Sequence, residues 1–192
     1  MNQALSVNKT AQTITFILQL HQKPMVLNRL LKMIYFIDRL YLALANRSLT
    51  NDNYKCLTSG LIPQNIPGLI SQLRFIEILA PGNLNLKYIS LNQNAKIDSL
   101  SNLEREIIAE VYHQKKDLDP LSLRDWNYDS WFITNHLKHK GNNLFKPTDI
   151  MLSLKKTKAE ILSYHNHQIQ EQRQANSVYA LDSDATIYPK TA

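Results

Sequence analysis

The sequence predicts an α+β protein in which helices predominate, as a single domain around one buried central helix with a small antiparallel β-hairpin. Three patterns indicate this class. Apolar residues recur at helical spacing over residues 25–45, two strand-like segments flank a turn signal within residues 73–91, and further helical patterns lie on either side. We expect the domain to span residues 10–172, between a flexible N-terminus (1–9) and a disordered tail (173–192).

The first two helices are predicted to be separated by a proline. Apolar spacing from Thr10 predicts the first helix, which Pro24 ends, and Pro24 also suits the first turn of the next helix. The central helix then runs from about Met25 to Ala45. Its apolar residues cover most of the circumference, so we expect it to be buried on most sides.

The middle of the chain is predicted to be an irregular segment followed by a hairpin. Residues 50–68 are rich in turn-forming and helix-breaking residues, and a proline within them opens a short helix to Gln72. The segments Leu73–Leu79 and Leu84–Leu91 read as two strands. The turn signal Pro81-Gly82-Asn83 lies between them, which predicts an antiparallel pair.

The second half of the chain is predicted to be helical. Ser101 and Glu104 have the spacing of a capping box, which places a helix start at Ser101. Trp126 and Trp131 provide large anchors for the core. One long helix is expected from Pro147 onward. The apolar face of the helix after Ser101 is predicted to comprise Leu103, Ile107, Ile108 and Val111.

Asp38 breaks the apolar pattern of the central helix. A buried carboxylate is unfavourable unless it is hydrogen-bonded or paired, so this residue needs a specific partner. Two interpretations are open. Asp38 is either a catalytic carboxylate or partner-binding residue, or it is a structural acceptor for backbone N–H groups or for Thr50 and Tyr54 in the following segment.

The polar strip of the central helix is basic. Arg29, Lys32 and Arg39 lie on it, and we expect this strip to be exposed. Such a strip is suited to an acidic partner or to phosphates, and a solvated face without a partner is the simpler alternative.

The composition restricts the partners and the cellular compartment that we expect for the protein. The chain carries 22 Lys and Arg against 16 Asp and Glu, for a net charge of +6, which permits contact with nucleic acid or an acidic partner but requires neither. The single cysteine, Cys56, excludes an internal disulfide and favours a reducing compartment. The sequence starts without a signal peptide and has no apolar stretch of membrane-spanning length, so we expect a cytoplasmic protein with no membrane partner.

No motif supplies a familiar catalytic or metal-binding constellation. G-x-S-x-G, H-E-x-x-H and Walker motifs are absent, and the close histidine pairs His136/His139 and His165/His167 lack neighbouring ligands. We therefore expect no metal, no cofactor and no enzymatic activity. Two alternatives stay open: an enzyme whose site is assembled from scattered residues, and a DNA-binding regulator. Because a recognition helix with clustered Arg or Lys is missing, nucleic acid is not an expected partner.

Three segments resemble the signature of the Panacea domain, found in SocA-like antitoxins of bacterial and phage toxin–antitoxin systems. Lys32–Arg39 is similar to K-L-L-Y-F-A-D-R, Thr50–Tyr54 to T-G-D-x-Y, and the segment ending in Gly60–Pro63 to Y-G-P-V-P. Asn51 and Ser59 depart from the pattern, where Gly and Tyr are usual, and so does the leucine after Gly60. The residues that the resemblance marks as a structural signature are Tyr35, Asp38, Thr50, Asp52, Tyr54, Gly60, Pro63 and Trp131.

The resemblance implies a function that the residues alone do not. Panacea-like antitoxins bind a cognate, genetically linked toxin directly and neutralise it without enzymatic activity. One branch of the family acts as an adaptor that delivers the toxin to a protease, which would then be a second partner. The candidate partner-binding residues are Arg29, Lys32, Arg39, Asn51 and Asn53.

Overall fold

The computed structural model describes residues 2–57, 60–79, 87–92, 96–118 and 144–184, and this part of the chain contains six helices and six short strands. The helices are α1 (Asn2–His21), α2 (Leu27–Ala45), α3 (Ile66–Ile70), α4 (Asn102–Lys115), α5 (Pro147–Ser153) and α6 (Lys158–Asp184). The strands are β1 (Met25–Val26), β2 (Tyr54–Leu57), β3 (Gly60–Pro63), β4 (Ile76–Leu79), β5 (Tyr88–Leu91) and β6 (Leu144–Phe145). The predicted class, mostly helical α+β, is confirmed.

The central helix is confirmed as the middle of the core. An unbroken run of α2 residues, 30–38, is buried, and the helix packs against α1, α4, α5 and β3. It ends at Asn46, which adopts a left-handed conformation (φ 51°) and whose N–H donates to the carbonyl of Leu42 at 3.2 Å. Asparagine tolerates this conformation better than most residues, which suits it to end a helix.

The start of the chain differs from the prediction in two respects. α1 begins at Asn2 rather than Thr10, and Pro24 lies between α1 and β1 instead of in the first turn of α2. Met25 pairs with Ile89 across β1 and β5, so the residues expected to begin the central helix belong to a sheet. The expected flexible ends, 1–9 and 173–192, stay predictions.

The predicted hairpin is confirmed, with shorter strands. β4 and β5 are antiparallel, with Ile76 opposite Leu91 and Leu79 opposite Tyr88, and β1 adds a third strand to give the order β1-β5-β4. The turn predicted at 81–83 lies outside the described residues.

A second three-stranded sheet was missed. Its order is β3-β2-β6, and all its pairs are antiparallel. The irregular character predicted for residues 50–68 is therefore wrong for β2 and β3. Gly60 and Pro63 resemble turn residues in sequence, but Gly60 begins β3 with φ 108°, and Pro63 ends the strand.

The capping box at the start of α4 is confirmed, but its apolar face is shifted. Ser101 N–H donates to Glu104 at 2.7 Å, and Glu104 N–H donates to the Ser101 hydroxyl at 3.3 Å. Leu103 is 48% exposed and does not belong to the buried face. Glu104 takes the inward position of the first turn. Its carboxylate there also accepts a hydrogen bond from the Lys9 side-chain nitrogen at 2.6 Å. The buried face of α4 comprises Glu104, Ile107, Ile108, Val111, Tyr112 and Lys115.

The long C-terminal helix predicted from Pro147 is wrong, since α5 and α6 replace it. Lys155 has φ 58°, and Lys156 N–H donates to the Met151 carbonyl at 3.0 Å, which is the hydrogen bond of a Schellman ending. Thr157 and Glu160 then form a new capping box, with Glu160 N–H donating to the Thr157 hydroxyl at 3.3 Å and Thr157 N–H donating to Glu160 at 2.8 Å. Among the helices of the described residues, none combines the length and apolar character needed to cross a membrane.

Two glycines should respond in opposite ways to the same substitution. A Cβ on Gly68, in α3, would meet no heavy atom within 4 Å, so Gly68→Ala should stabilise the protein by about 0.5–1 kcal/mol through helix propensity. Gly60→Ala should destabilise it by about 1–2 kcal/mol, because φ 108° strains an L side chain. Urea unfolding of both variants checks this, and equal shifts in the two midpoints would contradict it.

Candidate functional site

The site is built from the segment between α2 and β2, residues Arg47–Asn53, which we call the signature loop. Asp38, fully buried on α2, holds it in place. One carboxylate oxygen accepts the N–H groups of Leu49 at 2.7 Å and Thr50 at 3.0 Å. The other accepts the hydroxyls of Thr50 and Tyr54. These are the donors that the structural interpretation of Asp38 predicts.

Tyr54 joins this hydrogen-bonded centre to the aromatic core. Its side chain is fully buried on β2, and its ring lies edge-on to that of Tyr35, with 5.2 Å between the centroids. Burial, and then the negative charge of Asp38, raise the pKa of Tyr54 well above its ordinary value. The phenol therefore stays protonated and acts as a donor to Asp38.

Asp52 anchors the other end of the signature loop to α3. Its carboxylate accepts N–H groups from Asn53 at 2.8 Å, Asn65 at 2.9 Å and Ile66 at 3.1 Å, together with the Asn65 amide at 2.8 Å. It thereby satisfies donors at the N-terminal end of α3. Burial raises the pKa of Asp52, although these hydrogen bonds act in the opposite direction.

The remaining signature residues lie in the sheet next to the loop or outside the described residues. Gly60 lies opposite Leu57, and Pro63 is buried opposite Tyr54. Trp131 is among the residues that the structure does not describe, as are Ser59, Trp126, His136 and His139.

Asn51 lies at the exposed tip of the signature loop and contacts α6. It adopts φ 54°, a conformation open to glycine and tolerated by asparagine. Its side-chain amide donates to the Gln168 side chain at 2.7 Å, and its carbonyl oxygen accepts the Tyr164 hydroxyl at 2.9 Å. Asn53 is partly buried, and its carbonyl accepts the N–H of Gln64 at 2.7 Å.

The predicted exposed basic strip on α2 is wrong. Lys32 is only 5% exposed. Arg29 donates to the carbonyls of Lys116 and Leu118 at the end of α4, and Arg39 donates to the Ser153 hydroxyl at 2.9 Å. Packing of α4 and α5 along α2 covers this side of the helix, which periodicity along a single segment does not reveal.

Sequence reasoning also missed the contacts between α6 and the signature loop. Tyr164 is 5% exposed, and its pKa is raised by burial and then by the charge of Asp38. No sequence signal joins Tyr164 and Gln168 to Asn51, since more than a hundred residues separate them.

Within the described residues, no group of three or more His, Cys, Asp or Glu side chains is arranged to hold a metal ion. Cys56 is buried on β2 and forms no disulfide. The polar centre at Asp38 instead consists of hydrogen bonds that order the signature loop. What this arrangement offers chemically is a rigid surface for contact.

Fold and site together define a mostly helical α+β domain in which a buried aspartate orders a surface loop. The model of the SocA-like antitoxin family, Panacea domain, matches residues 30–132, and the chain belongs to this family. The matched segment begins in α2 and includes the signature loop, and it ends before β6, α5 and α6. No curated protein and no solved structure matches the chain.

Removal of the Asp38 carboxylate should destabilise the protein strongly. Asp38→Ala leaves the buried donors of Leu49, Thr50 and Tyr54 without their acceptor, so we expect a loss of about 2–4 kcal/mol in the free energy of unfolding. Glu106→Ala, which removes an exposed carboxylate from α4, is the matched control and should change it by less than about 0.5 kcal/mol. Chemical denaturation of both variants measures the difference, and similar unfolding midpoints would contradict the structural role.

Proposed function

We propose that this protein neutralises a toxin encoded beside it by binding the toxin directly, in the cytoplasm and without enzymatic turnover. The observation that carries the proposal is membership of the SocA-like antitoxin family over residues 30–132. The site supports this mode of action, because the hydrogen bonds of Asp38 and Asp52 hold the signature loop in one conformation at the surface. Pre-ordered surfaces bind with a smaller entropy cost than mobile ones.

The surface that best suits the toxin is the outer face of the β2–β3 hairpin together with the exposed Asn51 of the signature loop beside it. Along β2, Tyr54 and Cys56 are buried while Lys55 and Leu57 point outward, and Leu57 is 41% exposed. Lys55 lies opposite Ile62 on β3 and opposite a leucine on β6, so a cation stands among apolar side chains. An interface centre of this kind combines apolar burial with a charge that steers an acidic partner.

The correction at α2 changes which residues are suited to test the contact. Arg29 and Arg39 make hydrogen bonds inside the fold, and Lys32 is buried, so charge reversal there would disturb the protein itself. Lys55 and Leu57 are exposed and are the better probes. Delivery of the toxin to a protease would require the same complex, so a test of binding covers that mode as well.

Growth should be restored when this protein is produced together with the toxin of the neighbouring gene, and the two proteins should co-purify. Lys55→Glu and Leu57→Asp should each weaken rescue and co-purification at least about tenfold, as expected for central interface residues. Lys23→Glu, at an exposed turn after α1, is the matched charge-reversal control and should leave both intact.

Thermal unfolding of each variant shows whether it still folds. A neighbouring gene without toxicity would contradict the proposal, and so would rescue without a detectable complex. Rescue that is insensitive to Lys55→Glu and Leu57→Asp would leave direct binding in place but reject this surface.

A further inference from the structure

The last helix, α6, lies on the signature loop through one face. Tyr164 and Gln168 contact Asn51, and a side-chain nitrogen of Arg47 lies 3.5 Å from the His167 ring. Residues 164, 167 and 168 have the i, i+3, i+4 spacing of one helical face. The loop that the family signature defines is therefore covered in part by a helix outside the matched segment.

α6 is attached to the domain through few buried side chains. Among residues 158–174, Tyr164 is the one buried side chain, while Leu162 is 60% and Ile169 46% exposed. Tyr164 and the partly buried Ile161 pack against the hydrophobic core, α6 also contacts α1, and Lys156, just before the helix, donates to the Ala43 carbonyl at 2.7 Å. Helices with few buried apolar contacts open locally at a lower free-energy cost than the core does.

The turn between α5 and α6 provides a place for such an opening. Lys155, with φ 58°, ends α5, and the capping box of Thr157 and Glu160 starts α6 independently of it. α6 thus keeps its own helical start when its contacts with the signature loop break. Asp38 accepts hydrogen bonds from Leu49, Thr50 and Tyr54, and none of these three donors lies on α6.

The contact concentrates on Asn51, whose amide nitrogen and oxygen both bond to α6. A partner that occupies the side of Asn51 facing α6 displaces Tyr164 and Gln168 from it. The neighbours of Asn51 on both sides, Thr50 and Asp52, are fixed by Asp38 and α3, so the loop cannot move away to serve both partners. Two ligands for one rigid surface exclude each other.

We propose that α6 is a strap that closes over the signature loop and competes with the toxin for it. This inference rests on the proposed function for the identity of the competitor. Toxin binding opens the strap, and opening the strap strengthens toxin binding by the same factor. The strap thereby lowers the apparent affinity for the toxin according to the fraction of the free protein in which the strap is closed.

The double variant Tyr164→Phe/Gln168→Ala tests the strap without changing the signature loop. It keeps the buried ring and removes both hydrogen-bonding groups that reach Asn51. Gln170→Ala, on an exposed position of the same helix, is the matched control. In the free protein, amide hydrogen exchange in peptides from 158–174 and 47–53 should become faster in the double variant and stay unchanged in the control.

Toxin affinity provides the second measurement. The double variant should bind the product of the neighbouring gene at least about fivefold more tightly than the wild type, since less of the protein is closed. Toxin added to the wild type should accelerate exchange in residues 158–174. Unchanged exchange in the free double variant would overturn the strap, and unchanged or weaker toxin binding would overturn the competition. Failure of the wild type to bind the toxin at all would overturn the proposed function, and the exchange result in the free protein is scored separately from it.

Discussion

The structure depends on the hydrogen bonds that satisfy the carboxylate of Asp38. A fully buried carboxylate is tolerated only with several donors, and here two N–H groups and two hydroxyls meet it. The donors belong to Leu49, Thr50 and Tyr54, which span the connection from α2 to β2. One charge in the core therefore fixes the path of the chain at the surface, because each donor would otherwise be buried without an acceptor.

The spacing of the family signature follows from this arrangement. Asp38 orders the signature loop from the side of α2, and Asp52 connects the same loop to α3. Thr50 and Tyr54, on either side of Asp52, are donors to Asp38. Thr50 and Tyr54 thus bond to Asp38, and Asp52 binds donors at the start of α3, so these signature residues hold the loop in place.

Sequence predicts well the parts of the fold that are determined by local periodicity, or by the free-energy cost of burying a charged side chain without hydrogen-bond partners. The burial of α2 and the donors of Asp38 are of this kind. β2 and β3 were missed because four-residue strands next to Gly60 and Pro63 resemble a turn. The break before α6 has a lysine, Lys155, where a glycine or asparagine would signal it, although the capping box of Thr157 was readable. The burial of Lys32 depends on packing between distant segments, and no local pattern carries that information.

Asn51 affects both the backbone of the signature loop and the attachment of α6 to that loop. At φ 54°, glycine and asparagine both suit the backbone, so the choice between them has little effect on the loop itself. Glycine would leave α6 without the two hydrogen bonds that Asn51 provides. A departure from the family pattern that is nearly neutral for folding therefore changes how firmly a distant helix covers the loop. Variation at such a position can tune access to a surface while the buried network at Asp38, which the fold requires, stays the same.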